Sequence, residues 1–334
     1  METDRKVLLI GGAGYIGSVM TGYLMEQGWR VRCFDNLIYE NQGCVSFYWG
    51  QPNYEFFYGD LTDSAQLNPA LEGVDDVVIL AGLVGDPITK KYPDLSNAIN
   101  SDGILRLIHS LNGKGLNRVI FISTCSNYGL IESDATADET FELNPLSLYA
   151  KAKVAVEKEL LSLQGKVDFH ATVLRFATAF GLSPRMRFDL TVNEFTREMF
   201  LARELLVYDF ETWRPYCHVK DFSRAVNKVL QADQDKVSFE VFNAGGDQNN
   251  FNKQAVVNEI LKHFPSAPVK YKEKGSDPRN YKVDFSKIKN VLDFEPEYSV
   301  SDGIEELIGA LQQNIFSRVE QQPNFYHNLE IKIP

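Results

Sequence analysis

Residues 7–18 read VLLIGGAGYIGS, and the fold class follows from them. Val7, Leu8, Leu9 and Ile10 form an apolar run of the length of a short buried strand, and an amphipathic run opens near Ser18. Between the two stand Gly11, Gly12, Gly14 and Gly17, so strand, glycine turn and helix start succeed one another directly. A side chain in such a turn would clash with the backbone bend, with an approaching pyrophosphate, or with the strand behind the helix. The free N–H groups of the first helical turn then face an anion. Glycine turns of this kind are common, and a second strand with an acidic end gives this one weight. Val31-Arg32-Cys33-Phe34 reads as that strand and ends in Asp35, 18 residues after Gly17. A carboxylate there accepts hydrogen bonds from the adenosine ribose hydroxyls and repels a 2′-phosphate, which predicts NAD rather than NADP.

A chain of 334 residues buries a large core, as one large domain or two intertwined ones. Its formal net charge of -11 argues against nucleic acid as a partner, because phosphate backbones need a basic face. No apolar run approaches the roughly 18 residues of a membrane span. Met1 is followed by Glu2, Thr3 and Asp4, unlike a secretory leader, so a cytoplasmic protein without membrane contact is expected. Cys33, Cys44, Cys125 and Cys217 lie far apart without a CxxC, and the five histidines show no metal-ligand spacing, so neither disulfides nor a metal site is expected.

Along the chain, strand and helix signals alternate at the spacing of βαβ units, which predicts a doubly wound α/β fold with a mostly parallel sheet. After the first two strands come Tyr54 to Tyr58, Val77 to Gly82, Arg118 to Ser123 and Asp168 to Arg175. Asn36 to Gln51 reads as loop with a helical piece, and Asn97 to Leu111 as one helix. Residues 1–178 are expected to form the dinucleotide domain, with segments near 205–245 adding to it, and residues 179–334 mainly a smaller substrate-binding lid. Its helices are expected at Val192 to Arg203, Asn252 to His263 and Ser301 to Gln312. The tail from Phe316 to Pro334 has little pattern and reads as loosely packed or as serving a partner.

Chemistry is carried by Pro145-Leu146-Ser147-Leu148-Tyr149-Ala150-Lys151-Ala152-Lys153, at the start of the next helix. Tyr149 and Lys153, four apart, share one helix face, whereas Lys151 points elsewhere. A neighbouring ammonium favours the phenolate of a group that otherwise ionises near pKa ~10, which makes Tyr149 a general base near neutrality. The positive ring of an oxidised nicotinamide pushes the same way. At the carboxyl end of the fifth strand, Ser123-Thr124-Cys125-Ser126-Asn127-Tyr128-Gly129 offers a hydroxyl for the same substrate oxygen.

In these features the chain resembles the extended short-chain dehydrogenase/reductase family, the nucleotide-sugar epimerases and dehydratases. The resemblance is carried by the GGAGYIG loop, Asp35, Gly59-Asp60-Leu61, STCSNYG and YAKAK, then by Arg214-Pro215-Tyr216-Cys217-His218-Val219-Lys220-Asp221 and Gly275-Ser276-Asp277-Pro278-Arg279. It covers about residues 6–310 and implies a Rossmann-type sheet with a C-terminal substrate lid. It implies Thr124 as the hydroxyl partner, Tyr149 as acid/base, and Lys153 as the group that lowers the tyrosine and holds the nicotinamide ribose. NAD would lie against Gly11, Gly14, Tyr15, Ile16, Gly17, Asp35, Asn36, Asp60, Leu61, Ala81, Asn100, Lys153 and Phe176. A nucleotide-diphosphate sugar would meet Val84, Thr124, Thr178, Arg185, Asn193, Arg214 and Arg279, the arginines because their planar fork matches phosphate oxygens. Family members commonly dimerise through a four-helix bundle, for which Asn97 to Leu111 and Ser147 to Leu163 are the candidates.

Departures from the family pattern narrow the reading. Members that eliminate water carry an Asp-Glu pair after the threonine; Cys125-Ser126 stand there instead, which disfavours a 4,6-dehydratase. The asparagine of the family's R-[FY]-x-N is Thr178 here. Residues 81–87 and 183–189 resemble a subgroup that includes C4 dehydrogenases of nucleotide-linked heptoses. The expected activity is 4-epimerisation through a transient 4-keto sugar, with net C4 oxidation or reduction, or a non-catalytic NAD(H) and sugar-nucleotide sensor, as the alternatives.

Overall fold

Five strands of the first half, β1 (Lys6–Ile10), β2 (Arg30–Asp35), β3 (Tyr54–Tyr58), β4 (Asp76–Ile79) and β5 (Arg118–Thr124), are joined by His170–Phe176 and Glu240–Ala244 in one sheet. This computed structural model describes residues 4–131, 135–273 and 279–331. The order across the sheet is Glu240–Ala244, His170–Phe176, β5, β4, β1, β2, β3, and every pairing is parallel. From β1 the chain winds outward through β2 and β3, then returns to place β4 on the other side of β1. The helices that follow β1 and β4 therefore pack on opposite faces of the sheet, and a crevice opens at the carboxyl ends of these two strands.

Period-two alternation assigns the strand residues to two cores. Val7, Leu9, Val78, Ile120 and Leu174 face one side, where Phe222, Val226 and Val229 of the helix Val219–Gln231 cover them beside α1 (Tyr15–Glu26). Leu8, Ile10, Val77, Ile79, Phe121 and Val173 face the other, under Leu107 and Ile108 and under Val156 and Leu160. Because both faces are covered, the strands read as continuous apolar runs. The turn after β1 leaves no room for a side chain: at Gly11, where φ is +87°, a Cβ would stand 2.7 Å from the Ala81 nitrogen, and one on Gly17 would overlap the Gly11 oxygen.

The second half builds its own core of Phe180, Val192, Tyr216, Val256, Ile260, Val300 and Ile304. The expected lid helices are found as Thr191–Phe200, Lys253–Leu261 and Val300–Gln312. Of residues 205–245, the strand Glu240–Ala244 enters the central sheet and the helix Val219–Gln231 covers one of its faces, while Leu205–Tyr208, which alternates buried and exposed, pairs with Val269–Lys272 in a ribbon of its own. Two expectations are corrected. The helix over 97–111 is interrupted by a π-turn, Ala98–Gly103, between Pro93–Asn97 and Ile104–Ser110. The tail is packed as far as Ile331: Val319, Tyr326 and Ile331 are buried, and the Phe188 ring meets those of Phe316 and Tyr326. Its last residues, and residues 275–278 of the late motif, lie outside the described ones. Among the described residues no helix is long and apolar enough to cross a membrane.

Beneath the carboxyl end of β5 lies a buried ion pair. Arg175 and Glu157 are 4% and 2% exposed, and the carboxylate accepts from the guanidinium and, at 2.9 Å, from the Ser123 hydroxyl. Burial alone would lower Arg175, but Glu157 outweighs it and holds the guanidinium above its ordinary value. Removing one partner strands the other charge. Glu157→Gln is therefore expected to destabilise the protein by about 3–5 kcal/mol, and Glu157→Leu combined with Arg175→Met by less. Urea unfolding of the two variants checks the ranking.

Candidate functional site

The loops at the carboxyl edge enclose one elongated cavity, with the glycine turn at one end and the β5 terminus at the other. Gly11, Gly14, Tyr15, Ile16, Gly17, Asp35, Asn36, Asp60, Leu61, Ala81, Val84, Thr124, Tyr149, Lys153, Phe176, Thr178 and Arg185 all line it. At the glycine end the Gly11 amide donates to the Phe34 carbonyl at 2.8 Å, which fixes the turn against β2. The Asp35 carboxylate accepts from the Ala13 and Leu37 amides at 3.0 and 2.8 Å, so it braces the turn as well as facing the cavity. Burial raises its pKa despite those two donors. Asn36 donates to Asp60 at 3.0 Å, and that bond, with those from Thr62, outweighs burial and holds Asp60 below its ordinary value.

At the far end, Ser147 caps the helix Leu148–Ser162 by accepting from the Ala150 amide at 3.1 Å. The cap sets the rotation of the helix, so Tyr149 and Lys153 face the cavity and Lys151 faces outward. The Thr124 hydroxyl accepts from the Ser126 amide at 3.1 Å. Phe176 stacks flat on Phe222 at 3.9 Å and closes the floor.

Lys153 neighbours Tyr149 through the face of its ring: the ammonium donates to the Ile122 carbonyl at 2.7 Å and lies over the Tyr149 ring, 5.7 Å from its centre. Burial pushes the Tyr149 phenol above its ordinary value, and the strongest charge drawing it back down is Arg187, followed after Asp86 (which raises it) by Arg279.

Four expected residues stand outside the cavity lining. The Asn100 amide holds the loop after β4, accepting from the Leu83 amide at 2.8 Å and donating to the Leu83 carbonyl at 2.9 Å. Asn193 donates to the Tyr15 hydroxyl at 3.0 Å and to the Arg187 carbonyl at 2.9 Å. Tyr15 in turn donates to the Gly181 carbonyl at 2.7 Å, so this pair ties α1 to the second half. Arg214 grips the backbone carbonyl of Arg279, and Arg279 pairs with Asp86 at 3.2 Å. Arg185, expected at the substrate, lines the cavity where its guanidinium lies over the Tyr39 ring at 4.4 Å, beside the loop that follows Asp35.

The lining also holds Tyr39, Asn41, Ser123, Arg187 and Asn328, none of which is an expected site residue. Ser123 and Arg187 have a signal, the first as part of the strand-end motif and the second as part of the 183–189 segment; Asn328 has none. Whether the site suits a dinucleotide is tested by the turn and the buried atoms. A Cβ would fill the cradle at Gly11 and Gly17, and the Arg185 Nε is buried without a partner. Both features match an anion at the start of α1.

The profile of the NAD dependent epimerase/dehydratase family matches residues 7–245. A UDP-glucose 4-epimerase of Rhizobium leguminosarum bv. trifolii is 29% identical over 319 residues, covering 89% of this chain and 94% of that one. A UDP-glucuronate 4-epimerase of Thermodesulfobacterium geofontis is 24% identical, covering 92% and 96%. Among solved structures, the UDP-glucose 4-epimerase of Thermotoga maritima with UDP-glucose superposes with a TM-score of 0.81 at 26% identity, covering 93% of this chain and all (100%) of that one. The UDP-glucuronic acid 4-epimerase of Bacillus cereus, in complex with UDP-glucuronic acid and NAD, gives 0.83 at 23% identity, covering 93% and 100%, and shares the fold. The chain belongs to the NAD dependent epimerase/dehydratase family and is an enzyme whose cofactor is NAD.

Proposed function

We propose that this enzyme is a nucleotide-sugar 4-epimerase that works through a transient 4-keto sugar. The observation that carries the reading is that the Thr124, Tyr149 and Lys153 side chains share one cavity with the glycine turn and Asp35. NAD supplies the acceptor and donor of the C4 hydride. The remaining roles fall to the protein. Tyr149, ionised to the phenolate, takes the proton of the C4 hydroxyl and as the phenol returns it, while Thr124 hydrogen-bonds the same oxygen and orients it. Arg187, held by Asp189 through bonds of 2.9 and 2.7 Å, provides positive charge toward the Tyr149 hydroxyl when the phenolate forms. Lys153 presents its ammonium to the ribose of the cofactor. The apolar side chains of Ala81, Leu83 and Val84 line the wall and leave a keto sugar free to turn before hydride returns.

The residues after Thr124 support epimerisation over dehydration. Elimination needs an acid and a base beside the threonine, and Cys125 is 1% exposed with its thiol donating to the Arg175 carbonyl. Burial pushes that thiol up, out of use as a base. The relatives point to UDP-linked hexoses and hexuronates as the first compounds to test.

Tyr149→Phe is expected to lower turnover by at least ~100-fold with NAD still bound; unchanged turnover would sink the mechanism. A panel of UDP-, dTDP-, GDP- and CDP-sugars followed by NMR is expected to show inversion at C4 without accumulating NADH. Stoichiometric NADH would replace the epimerase reading with a net dehydrogenase.

A further expectation concerns stability. Burial lowers Lys153 from 10.5 to about 7, so the folded protein disfavours the ammonium that the unfolded chain keeps. The resulting penalty is full below about pH 7 and fades as pH rises toward the ordinary lysine range. Lys153→Met of the cofactor-free enzyme is expected to be the more stable protein at pH 7, with an advantage roughly 2 kcal/mol smaller at pH 9. Denaturant unfolding at the two pH values measures it; an advantage that does not narrow contradicts the assignment.

A further inference from the structure

Arg185 is 1% exposed. One of its terminal nitrogens donates to the carbonyls of Asn324 and His327, both at 3.2 Å, and its Nε has no partner. Carbonyls do not neutralise a guanidinium, the Asp35 and Asp189 carboxylates act on it without bonding it, and a buried cation so poorly paired is disfavoured. Burial and the neighbouring Arg187 accordingly lower its pKa to about 10. The missing anion has a definite place. The Arg185 amide donates to the Ser183 hydroxyl at 3.2 Å, which itself donates to the Tyr15 carbonyl at 2.7 Å, so this loop is stitched to the first turn of α1. The guanidinium lies over Tyr39, four residues beyond Asp35. It therefore stands between the first turn of α1 and the loop that follows Asp35.

The tail that supplies those carbonyls is anchored on three loops around the cavity. Asn324 donates to Glu40 at 3.1 Å, the Phe188 amide donates to the Tyr326 carbonyl at 2.9 Å, and Asn328 donates from its amide to Asp189 and from its side chain to the Val84 carbonyl, each at 3.0 Å. Ile331 packs with Tyr39, Leu83, Ile88 and Ile99. Asn328 is 4% exposed, lines the cavity, and keeps its Oδ1 unpartnered.

We infer that segment 323–331 is a cofactor clasp, which holds Arg185 against the pyrophosphate of bound NAD and sets the rate at which the cofactor leaves. Asn328 adds an acceptor for a ligand hydroxyl or amide. The inference rests on NAD occupying this cavity, and the test separates the two.

The probe is NADH, followed by its fluorescence as excess NAD displaces it from the full-length enzyme. Arg185→Met is expected to speed release and weaken binding by ~10- to 100-fold, the range for a charge-assisted hydrogen bond, with Arg185→Lys between it and the unaltered protein. Asn328→Ala, which cuts the tie to Val84, is expected to speed release without the loss of charge, and it serves if Arg185→Met does not fold. Asp35→Ala is the control for the cofactor itself. Release unchanged in both Arg185→Met and Asn328→Ala while Asp35→Ala weakens NADH overturns the clasp and leaves the cofactor site standing. NADH binding that none of the three alters overturns the clasp and its placement of the cofactor together.

Discussion

Everything in the site hangs on the absence of a side chain at Gly11 and Gly17. Because neither carries a Cβ, α1 closes onto the turn and the turn onto the Ala81 backbone, at approaches that any other residue would block. The same closeness brings the loops after β1 and β4 together at the point where the winding reverses. Asp35 then braces the turn from β2, and Tyr15 ties it to Gly181 in the second half. A substitution in the turn would shift four elements at once.

Charge within the cavity is arranged against the sign of the whole protein. The chain carries a net charge of -11, yet Lys153, Arg185 and Arg187 are all buried in the lining. Each is managed differently. Arg187 has a carboxylate fork from Asp189 and stays above its ordinary pKa, Arg185 has two carbonyls and one ring face, and Lys153 has one carbonyl and two ring faces. The two groups without a bonded carboxylate fall in pKa, so the resting site is primed for anions.

The sheet is legible in the sequence because parallel strands covered on both faces must be apolar throughout, and such runs are visible in a linear text. The Tyr149 and Lys153 positions are legible because helical spacing alone puts them on one face. What spacing does not encode is depth: it places the two on one face but not the ammonium over the ring, which depends on the Ile122 carbonyl of another element. The parts played by Asn100 and Asn193 depend likewise on partners far away in sequence, Leu83 and Tyr15. The π-turn that carries Asn100 is invisible because its residues keep an ordinary helical pattern.

The tail is illegible for a different reason. A strap that crosses loops buries single residues at irregular intervals, Val319, Tyr326, Asn328 and Ile331, so it has neither period. Its order comes from hydrogen bonds to groups that the rest of the fold has already positioned: the Val84 carbonyl, Asp189 and the Phe188 amide. Those groups sit on loops, and loops at the carboxyl edge of a parallel sheet are where ligands are held. A segment with no fold of its own thus takes its shape from the ligand site and bears directly on it. In the proposed clasp the glycine turn meets the cofactor with backbone alone, and the side chain most suited to neutralise it, Arg185, is held in place by the Asn324 and His327 carbonyls of the tail.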